Sequence, residues 1–121
     1  MITGVIGLTL WTADLEKMFH FYNDTMRLPL HARHDDFVAF EFGGFREFRF
    51  NLGLHGEVQG ISRDPYRVMA NFGVDDIEQE YQQLVEQGVE FIRAPEQEHW
   101  GGWVATFKDP DGNILQLLQL P

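Results

Sequence analysis

A pattern of strand, acidic turn and helix occurs twice in this 121-residue sequence, and it constrains the fold more than any other feature. The first copy is GLTLWTADLEKMFHFYNDTMRL at Gly7–Leu28, and the second is MANFGVDDIEQEYQQLVEQGV at Met69–Val89. Apolar residues recur at helical spacing in both copies, which predicts two helices that each bury one face. Asp14 and Asp76 open these helices, and we interpret them as N-terminal capping residues because a carboxylate there accepts backbone N–H groups.

Three segments of strand character follow each predicted helix. They are LPLHAR, FVAFEF and REFRFNLGL in the first half, and VEFIRA, GGWVATF and NILQLLQL in the second. The segment HGEVQGISRDPYR at His55–Arg67 contains Gly, Pro and mixed charge, as is typical of a connection. We therefore predict a single α+β domain, residues 1–121, with module one at about 1–55, a linker at about 56–67 and module two at about 68–121.

The charge and residue content exclude several classes of function. Nine Lys and Arg stand against nineteen Asp and Glu, and the formal net charge of −10 would repel nucleic acid and anionic membrane surfaces. The chain has no cysteine, which excludes disulfides, thiolate nucleophiles and thiolate metal sites. No apolar run approaches about 18 residues and the first residues lack the basic segment of a secretory signal, so we expect a cytoplasmic location.

Three stretches resemble the vicinal oxygen chelate superfamily, the group of glyoxalases, bleomycin-resistance proteins and ring-cleaving dioxygenases. They are TADLEKMFHFYNDTMRL, GVDDIEQEYQQLVEQGVEF and WGGWVATFKDPDGNILQLLQ, and the resemblance covers nearly the whole chain. It implies two βαβββ modules whose curled mixed sheets surround a shared cavity, with helices outside and commonly as a homodimer.

We interpret the two acids of DPDGN at Asp109–Asn113 as structural residues, because a tight turn favours these residue types. Because related architectures serve enzymes and ligand-binding proteins alike, the site must decide the function.

The resemblance also implies positions for a divalent metal, which family enzymes hold with His, Gln or Glu from the first and last strands of each module. Counted along this sequence, the positions are Gly7, Phe50, Met69 and Gln116. A slip of one residue would replace Phe50 by Arg49 or Asn51. Glycine has no side chain and a thioether is a poor ligand for a hard or borderline divalent ion, so we expect no metal and no cofactor.

The histidines do not form an alternative metal site by their spacing. His31 and His34 are three residues apart in HARHDD, but this segment has strand or loop character, in which that spacing does not bring two rings together. His20 is interpreted as exposed on the first helix, and His55 and His99 as residues that line a pocket.

Strand alternation divides the predicted strands into a cavity face and a helix face. With Gly7, Met69 and Gln116 inward, the cavity face also holds Thr9, Trp11, Asn71, Gly73, Ile114 and Leu118. The helix face holds Ile6, Leu8, Leu10, Ala70, Phe72, Val74, Leu115 and Leu117. The candidate ligand-binding residues are Trp11, Phe50, Met69, Asn71, Trp100, Trp103 and Gln116, with Arg46 or Arg49 as an orienting cation. Flat aromatic walls with few polar groups suit a small, largely apolar or planar ligand, although core or dimer packing explains each aromatic residue equally well.

The leading hypothesis is a metal-independent small-molecule-binding protein of the glyoxalase or bleomycin-resistance type, with no catalytic residue assigned. Sequestration of a cationic glycopeptide is one version of it. The alternative is a divalent-metal-dependent lyase, isomerase or dioxygenase in which Gln116 acts with ligands such as His55, Glu41 or Glu47. A third hypothesis is metal-free acid–base catalysis by Glu41 or Glu47.

Overall fold

The computed structural model describes residues 1–43 and 48–121, so the candidates Arg46 and Glu47 lie outside the described residues. In chain order the first half contains β1 (Gly7–Thr12), α1 (Leu15–Phe19), a π-helical segment (His20–Thr25), β2 (Leu30–Arg33), β3 (Phe37–Phe42) and β4 (Phe48–Leu54). The second half contains β5 (Ala70–Gly73), α2 (Ile77–Glu86), β6 (Phe91–Gln97), β7 (Trp103–Lys108) and β8 (Ile114–Gln119). This order confirms the predicted α+β class with two βαβββ modules.

Each module forms its own four-stranded mixed sheet. The first has the strand order β1-β4-β3-β2 and the second β5-β8-β7-β6. The first and last strands of each module pair in parallel, and the other pairs are antiparallel. The chain divides into two compact units, Met1–Gly60 and Ile61–Pro121.

One face of each sheet is covered by the helix of its own module, and we call it the helix face; the other is the open face. Phe40 and Leu52 are fully buried on the helix face, as are Met18 and Tyr22 from the helical side. The ring of Tyr22 lies 5.1 Å from that of Phe50, centroid to centroid. Burial of each such side chain contributes about 1.5–3 kcal/mol, so the packing of the helical residues against this sheet face stabilises the first module.

Both helices begin at the aspartate that the sequence predicted as a cap. Oδ1 of Asp14 accepts a hydrogen bond from the backbone N–H of Lys17, and Oδ1 of Asp76 accepts one from Gln79, each at 3.1 Å. These bonds satisfy N–H groups that have no partner within the helix. The capping interpretation is therefore confirmed for both residues.

The helical segments end differently in the two modules. Arg27 follows the π-helical segment with a positive φ of 58°, and Gly88 follows α2 with a φ of 89°. The backbone N–H of Val89 closes back to Leu84 O at 3.0 Å, five residues earlier, as in a Schellman motif. The backbone N–H of Leu28 donates to the carbonyl oxygen of Tyr22, six residues earlier, also at 3.0 Å. The loop is one residue longer than in α2 because the π-type turn is wider.

The DPDGN turn confirms its structural interpretation. Oδ1 of Asp109 accepts backbone hydrogen bonds from Asp111 at 2.9 Å and from Asn113 at 3.0 Å, and its Oδ2 accepts the Asn113 side-chain amide at 2.8 Å. Gly112 takes a φ of 78°, which favours glycine. Asp109 therefore stabilises the turn that leads into β8.

None of the described helices combines the length and the apolar character that a membrane crossing requires.

Candidate functional site

The open face of the first sheet carries three rows of side chains that run across the strands. The strand register defines a charged row of His31, Glu41 and Arg49, a polar row of Ala39, Asn51 and Thr9, and an aromatic row of Phe37, Gly53 and Trp11. Each row lies two residues along the strands from the next, or about 7 Å at a rise of about 3.3 Å per residue. The chemistry of this face therefore changes from ionic to aromatic along the strands.

In the charged row, one carboxylate oxygen is shared by two basic groups. Nδ1 of His31 lies 2.7 Å from Oε2 of Glu41, which is within hydrogen-bonding distance. Nη2 of Arg49 lies 3.6 Å from the same oxygen, beyond a direct hydrogen bond. Nε of Arg49 is buried and has no hydrogen-bond partner among the described residues. Within residues 1–43 and 48–121, the guanidinium is thus only partly satisfied.

A β-bulge in β2 explains how His31 reaches this row. His31 and Arg33 are two residues apart and would lie on the same face of a regular strand. The register between β2 and β3 shifts by one residue at His31. Arg33 therefore lies on the helix face, with its guanidinium carbon 3.8 Å from the centre of the Phe19 ring, while His31 contacts Glu41 on the open face.

The polar row contains a hydrogen bond that the second module repeats. Nδ2 of Asn51 donates to Oγ1 of Thr9 at 3.3 Å, across the parallel pair β1–β4. Nε2 of Gln116 donates to Oδ1 of Asn71 at 2.9 Å, across the parallel pair β5–β8. Asn71 and Gln116, both predicted site residues, are thus brought together on one face.

This repeated hydrogen bond corrects the sequence alignment of β4 with β8, in which Phe50 was matched to Gln116. The position equivalent to Gln116 is Asn51. Asn51 pairs with Thr9, two residues after Gly7, and Gln116 pairs with Asn71, two residues after Met69. Phe50 is only 2% exposed and contacts Tyr22 on the helix face. The alignment slipped by one because β4 begins at Phe48, one residue earlier in the register than β8 begins.

The aromatic row is built on a glycine. A Cβ atom at Gly53 would lie 2.5 Å from Cζ3 of Trp11 and 3.2 Å from Cδ2 of Phe37, so the indole occupies the space above Gly53. The ring of His55 meets Trp11 edge-on, with the centroids 5.3 Å apart. Trp11 remains 46% exposed. The predicted residue Trp11 therefore presents an exposed aromatic surface.

A hollow of about 300 Å³ lies at the end of this row, lined by Thr12, Ala13, Leu54, His55, Gly56 and Val58. His55, interpreted from the sequence as a pocket-lining residue, contributes its ring to both the hollow and the aromatic row.

The remaining predicted tryptophans lie in β7 and in the β6–β7 connection. Trp103 pairs in register with Gln119, whose Oε1 accepts a 2.7 Å hydrogen bond from Ile77 N at the start of α2. Trp103 therefore shares the helix face with Gln119, whereas Gln116 lies on the open face, so the placement of Trp103 in the cavity is corrected. Trp100 lies in the β6–β7 connection, with its ring over Gly102.

Other predicted face assignments had mixed outcomes. Met69 directly precedes β5 and is two residues from Asn71. This spacing agrees with the prediction that strand alternation puts Met69 and Asn71 on the same face. Ile6, expected against the helix, precedes β1 and is 70% exposed. Ile114, expected in the cavity wall, is 1% exposed.

The open face of the second sheet has a different charge arrangement. Arg93 pairs in register with Thr106, the residue opposite Gln116. Its Nη2 lies 2.8 Å from Oε1 of Glu98 and 3.2 Å from Oε2 of Glu96. The hydrogen bonds that Arg93 donates to Glu96 and Glu98 raise the pKa of Arg93. This guanidinium is neutralised by its own neighbours.

With both sheets defined, the chain can be compared with known proteins. The family model of the Glyoxalase/Bleomycin resistance protein/Dioxygenase superfamily matches residues 5–117. The chain belongs to this superfamily. The resemblance of the three sequence stretches is thereby confirmed.

Three members of the superfamily and its relatives illustrate the similarity. The chain is 23% identical over 125 residues to Uncharacterized protein YraH of Bacillus subtilis (strain 168), covering 96% of this chain and 98% of that protein. It is 38% identical over 53 residues to a Bleomycin resistance protein of Klebsiella pneumoniae, covering 38% of this chain and 42% of that protein. A superfamily structure from Sphaerobacter thermophilus DSM 20745 superposes with a TM-score of 0.76 at 26% identity, covering 98% of each chain.

The divalent metal that the superfamily implies can be tested against the donor set of this chain. Gly7 offers no side chain and Met69 only a thioether. Asn51 and Gln116 offer neutral amides that already hydrogen-bond to their strand neighbours. In residues 1–43 and 48–121, no three His, Cys, Asp or Glu converge in a metal-binding arrangement. This donor set does not fit a divalent cation, which normally takes three or four convergent imidazole, carboxylate or thiolate ligands.

Proposed function

We propose that this superfamily member binds a small, planar or largely apolar organic molecule on the open face of its first sheet, without a divalent metal. The observation that carries the proposal is the aromatic row, in which Trp11 lies over Gly53 against Phe37 and keeps an exposed flank. Asn51 and Thr9 supply hydrogen-bonding groups about 7 Å away. Small-molecule sites commonly combine aromatic walls with a few fixed polar groups.

The chemistry of the implied metal positions supports a role that does not need a metal. Lewis-acid catalysis requires charged or imidazole ligands around the ion, and Gly7, Met69, Asn51 and Gln116 supply none. Local similarity to a bleomycin resistance protein over 53 residues agrees with a ligand-holding role. The homodimer belongs to this proposal as a further expectation.

The binding proposal is tested with N-phenyl-1-naphthylamine, a neutral aromatic probe whose fluorescence rises in apolar surroundings. We expect saturable binding at one site per chain, and Trp11→Ala should weaken it about tenfold through loss of the aromatic contact. Trp100→Ala is the matched control, because Trp100 is similarly exposed but lies in the second module. Absence of saturable binding, or equal losses in both variants, would contradict the proposal.

The metal-independent part is tested separately by calorimetric titration with Zn²⁺, Ni²⁺, Mn²⁺ and Fe²⁺. We expect no tight binding of one ion per chain. A stoichiometric site, together with glyoxalase or catechol-cleaving activity of the loaded protein, would favour the metal-dependent alternative. Probe binding without such a site would support the metal-free function.

A further inference from the structure

We propose that the ligand of this open face is an aromatic acid, whose anionic group pairs with Arg49 while its ring system lies against Trp11. This inference rests on the proposed function, since it names the chemical class of the molecule that the same face binds. It follows from the charges in the charged row and from the distance between that row and the aromatic row.

Arg49 differs from the other arginines in the described strands. Arg33 has a carboxylate oxygen of Glu16 at 2.8 Å, and Arg93 has one of Glu98 at the same distance. The nearest carboxylate oxygen to Arg49 among the described residues is at 3.6 Å, and it belongs to Glu41. A guanidinium has five N–H donors and pairs best with an oxyanion at about 2.7–2.9 Å. As far as the described part of the chain goes, Arg49 therefore retains donors for an anion from outside.

The neighbour that could neutralise Arg49 is engaged elsewhere. Oε2 of Glu41 lies 2.7 Å from Nδ1 of His31, so the same oxygen is 0.9 Å closer to the imidazole than to the guanidinium. Nε of Arg49 is buried without a hydrogen-bond partner among the described residues. The Arg49 side chain is 44% exposed, and an oxyanion at its Nη atoms would complete the coordination that Glu41 leaves incomplete.

The space between Arg49 and Trp11 is lined by small side chains. Arg49 pairs in register with Gly7, which has no side chain, and Ala39 lies opposite Asn51 in the next row. The three rows extend along β4 from Arg49 to Gly53, which is four residue steps, or about 13 Å at a rise of about 3.3 Å per residue. A planar molecule with an acidic group at one end matches this length and this order of chemistry.

The charge of the whole chain does not decide this local preference. The formal net charge is −10, which on its own would favour a cationic ligand. At physiological ionic strength, however, exposed charges more than about 8 Å apart are largely screened, whereas a guanidinium in direct contact is not. The local cation thus argues for an anion and against a cationic glycopeptide on this face.

A matched pair of probes separates the two proposals. 8-Anilino-1-naphthalenesulfonate has the ring skeleton of N-phenyl-1-naphthylamine and adds one sulfonate. We expect the wild-type protein to bind the sulfonate probe at least as tightly as the neutral one. In Arg49→Met, affinity for the sulfonate should fall about tenfold or more, because a hydrogen-bonded charge pair is lost, while affinity for the neutral probe should change less than about twofold.

Three further variants control for general charge and for folding. Arg67→Met removes an exposed arginine that pairs with Asp64 in the second unit, and it should leave both affinities unchanged. Arg49→Lys keeps the charge and should retain part of the sulfonate preference. Glu41→Gln removes the competing carboxylate and should strengthen sulfonate binding, a change in the direction opposite to that of Arg49→Met.

The outcomes distinguish failure of this inference from failure of the proposed function. If neither probe binds at a saturable site, the proposed function is wrong, and this inference with it. If the neutral probe binds in a Trp11-dependent way but Arg49→Met leaves the ratio of the two affinities unchanged, the aromatic site stands and the acid preference is wrong. The same conclusion follows if Arg67→Met lowers that ratio as much as Arg49→Met does.

Discussion

The two modules share a backbone plan and differ in what their open faces present. Both hold an amide hydrogen bond at the same register of the parallel pair, Asn51 to Thr9 in the first and Gln116 to Asn71 in the second. The first open face adds a partly unsatisfied arginine and an aromatic row, whereas Arg93 on the second is held by two carboxylates. The repeated backbone determines where the polar pair lies, and the neighbouring side chains determine what it can bind.

The largest expected effect concerns the helix faces, where the two modules should behave alike. Phe50 and Leu115 occupy equivalent positions and are 2% and 1% exposed. Phe50→Ala should lower the free energy of unfolding by about 3–5 kcal/mol and Leu115→Ala by about 2–5 kcal/mol, since each leaves a cavity. Urea denaturation measures both values.

Leu120→Ala serves as the control for these core substitutions, because Leu120 is 70% exposed, and it should change stability by less than about 0.5 kcal/mol. If Phe50→Ala kept wild-type stability but lost the neutral aromatic probe, Phe50 would line the ligand site after all. That result would break the equivalence of the two helix faces.

The sequence was sufficient to predict both modules, because the helical spacing, the capping aspartates and the turn at Asp109–Asn113 are local signals. It was also sufficient to put Trp11 and Thr9 on one face, because strand alternation depends on a period of two. The register of β4 was not predicted correctly. Counting from strand ends exchanges the faces when one strand begins a residue earlier, and Phe50 was assigned to the wrong face for that reason.

The charged row shows what sequence reasoning missed. His31 and Glu41 are ten residues apart, and neither had a spacing that suggested contact. Their contact depends on the bulge in β2, which separates the faces of His31 and Arg33. The bulge places Arg33 on the helix face, where its guanidinium lies over the Phe19 ring. Arg33 and Phe19 are far apart in the sequence, so sequence reasoning had no local signal for this contact.

The helix ends offer the next test, because the modules use different residues in the left-handed region. Gly88→Ala should lower the free energy of unfolding by about 1–2 kcal/mol, since a side chain is disfavoured at a φ of 89°. Arg27→Gly should raise it by up to about 1 kcal/mol by relieving the same strain, less the loss of the Arg27 hydrogen bond to Thr25 O.

Thermal and urea denaturation measure the stability changes of Arg27→Gly and Gly88→Ala. Gly56→Ala is the control, because a Cβ atom at Gly56 would meet no atom within 4 Å. Opposite signs for Arg27→Gly and Gly88→Ala would sharpen the comparison. A loss of stability in both would mean that the π-helical segment depends on the arginine side chain more than on its backbone conformation.

A smaller effect is expected from the polar pairs that the modules share. Gln116→Ala should cost about 0.5–1.5 kcal/mol, the usual net contribution of a hydrogen bond. Asn51→Ala should cost less, since its bond to Thr9 is 3.3 Å long against 2.9 Å for Gln116 to Asn71. Denaturation in urea measures the order of the two values. A larger loss for Asn51→Ala would show that the amide of the first module has a structural role that the second lacks.

The smallest effect is a pH dependence specific to the first module. Hydrogen bonds from Asn23, at 2.8 Å, and from His20, at 2.6 Å, hold the pKa of Asp24 below its ordinary value of 3.8. A carboxyl with a lowered pKa in the folded state stabilises the fold above its unfolded pKa, and this contribution is lost as the pH falls through the folded pKa. The stability difference between wild type and Asp24→Asn should therefore be constant above about pH 5 and shrink below about pH 4. Asn23→Ala removes the largest cause of the shift and should move the loss to higher pH, and a difference that stayed constant down to pH 3 would show that this surface contact does not hold the carboxylate.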